Sequence, residues 1–474
     1  MDNGLFNFRI LKLVALCLAL NSVLLAKNNK PNIIYILADD LGYGELGSYG
    51  QTKIKTPFLD TLAAQGMKFT QHYSGAQVCA PSRFTLITGK HIGRSETYGQ
   101  RQKLKPNEFT VAKMLKEKGY VTGCFGKWGL GNDPNAQGFD EWCGFIDQGY
   151  AHFYYPERIW RDTVQVELPE NKGLRVDGKY KEDYNKGTYI HDVFIDTALK
   201  FIADNEKSPF FLYLPLTIPH LELIAPQSSL EQYQGKWEEK EFDTKIKEKT
   251  AGGRKFYDGY GYCSNDNPRA TYAAMVSRMD RDIGRIMELL KKLNLEENTL
   301  IIFSSDNGPS WWDVGGYDRD FFQGAGPLRG GKATFFEGGI RIPMIACWPG
   351  TINPGTESDH ISYFPDVLPT LAEIAGAKVP EGIDGVSMLP TFLEKGKQEQ
   401  HEFLFWAGAV RMGEWKFVHS GKELKGKQPM LFNLSEDIGE TKDLAVQHPE
   451  IVEQIKEIIQ ENKIPKNFRK YNLK

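Results

Sequence analysis

The run Asn32–Ala38, NIIYILA, stays apolar after its first residue and stops abruptly at Asp39-Asp40. A short run of this kind, rich in isoleucine and followed by turn residues, predicts a strand buried on both faces, as in a parallel sheet. The texture recurs at Tyr120–Phe125, Phe210–Leu216 and Leu300–Phe303. Between these strands lie helical patterns. Thr110–Lys118 is amphipathic and closed by Gly119. A second helix is capped by Asp192, with Val193, Ile195, Ala198 and Leu199 inward. A third carries Met275, Met279, Ile283, Ile286 and Leu290 at helical spacing. Helices alternating with buried strands predict an α/β fold, a mostly parallel sheet covered on both faces.

The texture changes after about residue 395. Phe403–Trp406, Trp415–Val418 and Met430–Leu434 read as short strands, and Pro449–Asn462 as a helix. The predicted organisation is a catalytic unit at 27–395 and a subdomain at 396–474 with a small antiparallel sheet and a helix. Leu230–Arg254 is densely charged and reads as a solvated insertion.

Residues 1–26 read as a targeting peptide, with Arg9 and Lys12 before the apolar run Leu13–Leu25. The run is short for a bilayer span. Two readings follow: a leader cleaved near Ala26, or an uncleaved anchor. The first places the protein in the periplasm or outside the cell. Cys17 leaves with a cleaved leader. Cys79, Cys124, Cys143, Cys263 and Cys347 remain, an odd number, so at least one is unpaired within the chain. They form two disulfides around one odd thiol or stay as buried thiols. No Cys-x-x-Cys occurs, which argues against a zinc ribbon or a thioredoxin-type site.

Composition removes other classes. With 41% hydrophobic and 25% charged residues, the chain is neither a disordered polymer nor a multi-span membrane protein. A formal charge of −3 provides no basic field for nucleic acid. No apolar amphipathic surface helix suggests lipid capture or stable membrane insertion.

Asp39-Asp40 follows one buried strand and Asp306-Asn307 follows another. Ligands of parallel sheets gather beyond the carboxyl ends of the strands. Three carboxylates and an amide suit a hard cation, calcium over magnesium. Taken singly, each pair also reads as turn residues. Cys79-Ala80-Pro81-Ser82-Arg83 places a cysteine at a helix start, with Pro81 in the first turn. There Cys79 is either a low-pKa nucleophile or a buried structural thiol.

The string Cys79-x-Pro81-Ser82-Arg83, followed by Leu86-x-Thr88-Gly89, resembles the signature of the formylglycine-dependent sulfatases of the alkaline-phosphatase-like superfamily. Further motifs match in order: Asp39-Asp40 with Gly42-Tyr43-Gly44, Gly126-Lys127-Trp128, Pro219-His220, Ser305-Asp306-Asn307-Gly308, Leu328–Lys332, and Glu337–Pro343. The resemblance spans about residues 31–445. It implies a large mostly parallel or mixed sheet sandwiched by helices. It implies one calcium ion held by Asp39, Asp40, Asp306, Asn307 and residue 79. It also implies that a maturation enzyme oxidises Cys79 to formylglycine (3-oxoalanine), whose hydrate attacks sulfur. Arg83 would hold the nucleophile, Lys127 and Lys332 the sulfate oxygens, and His220 the sulfate and leaving oxygen. The family often carries histidine two residues after that first lysine. Here the position is Gly129, and His152 is a candidate for the same space.

The expected reaction is hydrolysis of a sulfate ester on a carbohydrate, a polysaccharide fragment above all. The alternatives are a phosphonate or phosphodiester hydrolase of the same superfamily and an inactive sulfated-glycan-binding protein. Candidate sugar contacts are His91, Arg94, His152, Trp311 and Trp312, and the candidate pocket loops also carry Tyr154, Tyr155 and Asp313.

Overall fold

The computed structural model describes residues 30–97, 102–244, 261–310, 315–421, 424 and 427–462. The expected leader lies outside them. Strands β1 (Asn32–Ala38), β2 (Met67–Tyr73), β3 (Val121–Lys127), β4 (Glu141–Phe145), β5 (Arg158–Arg161), β6 (Val164–Glu167), β7 (Phe210–Pro215), β8 (Thr299–Ser305), β9 (Arg341–Cys347) and β10 (Thr356–Ser358) form one sheet. Their spatial order is β10-β2-β9-β8-β1-β7-β3-β4-β5-β6, and a short strand at Ser362–Tyr363 also pairs with β2. The central five, β8-β1-β7-β3-β4, are parallel. Antiparallel strands flank them on both sides, so the sheet is mixed.

β1 shows why the run is apolar throughout. Ile33, Tyr35 and Leu37 enter one core, while Ile34, Ile36 and Ala38 enter the other. Helices α1 (Pro57–Gln65), α2 (Cys79–Thr88), α3 (Val111–Glu117), α4 (Ile190–Asp204), α5 (Pro268–Lys292) and α6 (Val367–Ala375) cover the two faces. Leu59 of α1, Phe194 of α4 and Met279 of α5 lie in one core, with Phe84 of α2, Met114 of α3 and Leu368 of α6 in the other. Among the described residues no helix is long and apolar enough to cross a membrane.

Three local expectations change. Asp192 is not a cap: α4 starts at Ile190, and Asp192 in its first turn pairs with Arg278 at 2.5 Å. The charged segment is not wholly solvated, because the buried Tyr233 hydroxyl lies 2.6 Å from Ser277 Oγ and also receives a bond from the Lys55 amide. All five described cysteines are buried and free, which matches the buried-thiol alternative.

At the C-terminal end, β11 (Leu404–Trp406), β12 (Ala409–Met412), β13 (Trp415–Val418) and β14 (Met430–Asn433) form an antiparallel sheet, backed by α7 (Pro449–Glu461). β12 escaped the sequence reading. This sheet joins the main unit through buried charge. Lys416 Nζ lies 2.7 Å from Glu337 and 2.9 Å from Glu440, all fully buried. Glu337 also accepts from Tyr73 at 2.6 Å and pairs with Arg341 at 3.3 Å. Removing Lys416 takes the ion-pair partner from the buried Glu440 and leaves Glu337 with Arg341 and Tyr73. Lys416→Met should therefore cost about 3–5 kcal/mol in denaturant unfolding. A loss below about 1 kcal/mol would show that this cluster does not hold the two parts together.

Candidate active site

Four adjacent parallel strands deliver the site. Asp39 and Asp40 follow β1, Asp306 and Asn307 follow β8, Lys127 ends β3, and the Thr217–His220 turn follows β7. The strand ends are locked together: Asp306 N donates to Ala38 O at 3.0 Å, and Asp39 N to Ile218 O at 3.0 Å. Asp40 has φ 65°, a left-handed conformation that turns its carboxylate back toward its neighbours. Gly126 explains how Lys127 comes so close to β7, since a Cβ there would meet Pro215 O at 2.0 Å. Cys79 enters from the N-terminus of α2.

Lys127 Nζ lies 2.6 Å from Asp39 Oδ2, and Lys332 Nζ 2.7 Å from both oxygens of Asp40. Lys332 also reaches Cys79 Sγ at 3.4 Å. Cys79 Sγ is 3.4 Å from Asp39 Oδ1. Arg83 forks onto Asp306 Oδ2 at 2.8 and 3.0 Å. His220 Nε2 lies 3.4 Å from Asp40 Oδ2. Its Nδ1 bonds the Leu221 carbonyl, which can only accept, so Nδ1 carries the proton and Nε2 faces the cluster with its lone pair.

Burial alone would raise Asp39, but the cations Lys127, Arg83 and Lys332 override it and hold the carboxyl far below the usual range. Burial and the charge of Asp39 push Asp306 up to about 7, against the pull of Arg83. Burial and the adjacent lysines, Lys332 foremost, drive His220 down to about 3, so it is neutral in this state. Cys79 is pushed up to about 12 by burial, Asp306 and Asp39. Of the two readings of Cys79, this favours the buried thiol over the low-pKa nucleophile: desolvation and two acids outweigh the helix terminus.

The donor set fits a hard cation. Asp39, Asp40, Cys79 and His220 place one potential ligand atom each within 4.8 Å of one another. Asn307 donates its amide to Asp40 Oδ1 at 2.8 Å and Gly308 O at 2.9 Å, while its Oδ1 is buried without a hydrogen-bond partner. A buried orphan acceptor beside a carboxylate with a raised pKa is the electrostatic signature of a place for a cation. The sequence had put Asp306 and Asn307 in the metal set and His220 outside it. The four-residue cluster includes His220, while Asp306 and Asn307 touch it through Asp40, Asp306 Oδ1 accepting from Asp40 N at 3.1 Å and Asn307 Nδ2 donating to Asp40 Oδ1 at 2.8 Å.

The proposed sugar contacts divide. His152 stacks on His220 with ring centroids 3.9 Å apart. Gly129 has φ 75°, and a Cβ there would meet Gln148 Nε2 at 2.3 Å, so Gln148 fills the space beside it. Arg94 forks onto Asp384 at 2.9 and 3.2 Å, and His91 packs on Phe405 and accepts from Gly93 N. These partners, not the acidic cluster, hold both residues. Tyr154 and Tyr155 are core, not pocket: both are buried, and the Tyr154 hydroxyl lies 2.6 Å from Thr217 O and 2.7 Å from His220 O. Trp311, Trp312 and Asp313 lie outside the described residues. Sequence reasoning missed Glu45, whose carboxyl accepts from Gly42 N, Tyr272 and Tyr317 at 2.6 Å each and pins the turn after Asp40. An acid five positions after Asp40 was the available signal.

This arrangement brings acids suited to a cation and lysines suited to an anion onto a cysteine at a helix start. The family model described as Sulfatase matches residues 31–377, and that for the C-terminal region of N-sulphoglucosamine sulphohydrolase matches 331–464. The chain belongs to the sulfatase family. It is 32% identical to arylsulfatase A of Bos taurus, covering 89% of this chain and 84% of that one. It is 30% identical to N-acetylgalactosamine-6-O-sulfatase of Bacteroides thetaiotaomicron, covering 91% and 93%. Among solved structures, Ps i-CgsB in complex with k-i-k-neocarrahexaose superposes with a TM-score of 0.72 at 29% identity, covering 92% and 94%. A sulfatase from a Bacteroides thetaiotaomicron locus for metabolism of multiple glycosaminoglycans gives 0.74 at 27%, covering 91% and 99%.

Calcium at about 100 times its Kd should stabilise metal-free protein by about 2.7 kcal/mol, read as a rise in Tm. Asp306→Ala should abolish that rise. An equal rise in the variant would remove Asp306 from the metal set.

Proposed function

We propose that this sulfatase hydrolyses a sulfate ester on a carbohydrate, using an oxidised Cys79 and one calcium ion held by Asp39, Asp40, Asp306 and Asn307. The observation that carries the reading is Cys79 itself. It sits at the start of α2 against two acids and Lys332, yet its thiol stays protonated at neutral pH. An unmodified thiol there is a poor nucleophile, whereas formylglycine at position 79 supplies an oxygen nucleophile in place of sulfur. Cys79 is buried once α2 packs, so a maturation enzyme must reach it before folding is complete. The same reading places the protein in the periplasm or outside the cell, after loss of residues 1–26.

Charge balance supports an anionic ester. Asp39, Asp40 and Asp306 face Arg83, Lys127 and Lys332, a neutral set when all are ionised. A bound calcium ion supplies Lewis acidity and two net positive charges. Arg83, held on Asp306, also donates to the Lys127 carbonyl and so orients β3's last residue. Lys127 and Lys332 present fixed cations where sulfate charge spreads in the transition state. His220 contacts the sulfate. As the neutral tautomer seen here it only accepts at Nε2, and an anion beside it raises its affinity for the proton that a leaving alkoxide needs. The carbohydrate reading is supported by a relative named N-acetylgalactosamine-6-O-sulfatase and by a neighbour solved with k-i-k-neocarrahexaose, beside the relative named arylsulfatase A.

Mass spectrometry of the tryptic peptide spanning Cys79 should show the aldehyde in active protein. An unmodified thiol in fully active enzyme would refute the nucleophile. A panel of sulfated saccharides should release sulfate, and matched phosphate esters should react far more slowly. Turnover of the phosphate esters alone would move the assignment to phosphoester chemistry. His220→Gln should lower kcat/KM for a sugar sulfate about 10²–10⁴-fold. The loss should be much smaller for 4-nitrophenyl sulfate, whose leaving group departs without a proton. Equal losses on both substrates would rule out the general-acid role.

A further inference from the structure

The metal side of the site is sealed: Asp39, Arg83, Lys127, Asp306 and Asn307 are all 0% exposed. Residual exposure is greatest at Cys79 and Lys332, 7% each, followed by His220 at 4% and Asp40 at 3%. Substrate must therefore enter across Cys79, Lys332 and His220. On the His220 side the opening is walled by rings. His152 lies flat on His220, and Tyr262 abuts both, with centroids 6.2 Å from His152 and 6.4 Å from His220. Tyr262 is only partly buried.

Tyr262 is also held in place. Glu222, two residues after His220, accepts from Cys263 N at 3.0 Å, from Arg175 Nε at 3.2 Å and from the Tyr180 hydroxyl at 2.5 Å. Arg175 donates in turn to the Gly261 carbonyl. Asn265 Nδ2 donates to Leu223 O at 2.9 Å. The backbone on both sides of Tyr262 is thus strapped to the segment that carries His220. Arg175 and Glu222 are both buried, so this ion pair costs desolvation, and its geometric product is the fixed position of the 261–265 segment.

We propose that Tyr262 is the platform for the sugar ring that bears the sulfate, with Arg175 and Glu222 as positioning residues that preset it. The proposal rests on the carbohydrate reading above. A tyrosine ring offers an apolar face to the C–H face of a sugar and a hydroxyl at its wet edge. Held in advance, it binds without the entropic cost of ordering a loop. No motif in the sequence singled out Tyr262, Arg175 or Glu222.

Two measurements on the full chain test this. In the first, sulfate release from N-acetylgalactosamine 6-sulfate and from a sulfated carrageenan oligosaccharide is followed in Tyr262→Ala and Tyr262→Phe, with inorganic sulfate as competitive inhibitor. Tyr262→Ala should raise KM for the better saccharide at least about 10-fold, about 1.4 kcal/mol, with the sulfate Ki unchanged. Tyr262→Phe keeps the ring and should stay close to the parent. A smaller KM shift, a sulfate Ki that rises in step with KM, or a Phe variant as impaired as the Ala variant would each overturn the platform. In the second, calorimetry follows binding of the same saccharides to Cys79→Ala protein with and without Tyr262→Ala, where about a 10-fold loss of affinity is expected. If the parent releases no sulfate from either sugar, the carbohydrate reading fails by itself. The calorimetry still decides for Tyr262, because unchanged or absent saccharide binding overturns its role.

Discussion

Buried opposite charge organises this molecule. Three carboxyls and three cationic side chains meet beyond the ends of β8, β1, β7 and β3, with little or no exposure to solvent. No member can be left unpaired at that depth without a cost of several kcal/mol. The backbone around them is correspondingly constrained. Asp40 takes a left-handed conformation, Gly126 lets two strands touch, and Glu45 with its two tyrosines braces the turn between. The sheet order matters because it places these four strand ends side by side.

The same physics recurs at two other places with different outcomes. Around Lys416, buried charge joins the C-terminal sheet to the Glu337 turn, four residues from β9's first strand positions and close in sequence to Lys332. Around Glu222, it joins the hairpin at Arg175–Tyr180 and the 261–265 segment to the His220 turn. In each case the ion pairs fix one segment against another. The consequence is that Asp39, Arg83, Lys127, Asp306 and Asn307 are fully buried, while Cys79, Lys332 and His220 keep a slight exposure.

The electrostatics also explain why an ordinary cysteine would serve poorly here. A helix terminus favours a thiolate modestly, but Cys79 sits in a dry site against Asp39 and Asp306, and its thiol is driven to about 12. A cation at the acids would change that balance, and so would an oxygen nucleophile.

The class of fold, the acid pairs and Cys79 were legible in the chain itself, and Arg83 and both lysines through the motifs that carry the resemblance. Buried parallel strands must be continuous runs of apolar residues, and groups placed at their ends appear as short dense motifs after each run. β12, Glu45, Tyr262 and the Arg175–Glu222 pair were not legible. A lone glutamate or tyrosine has no local pattern, and its role depends on partners scores of residues away. Tyr154 and Tyr155 were misread as pocket for the same reason, since only the fold shows that Tyr154 lies beneath the His220 turn. Sequence determines which strands and which reactive groups exist, because period and local chemistry are written within a few residues. Tertiary structure decides which groups are dry, which are paired and which face the opening, because burial and long-range electrostatics belong to the assembled sheet and not to any segment of it.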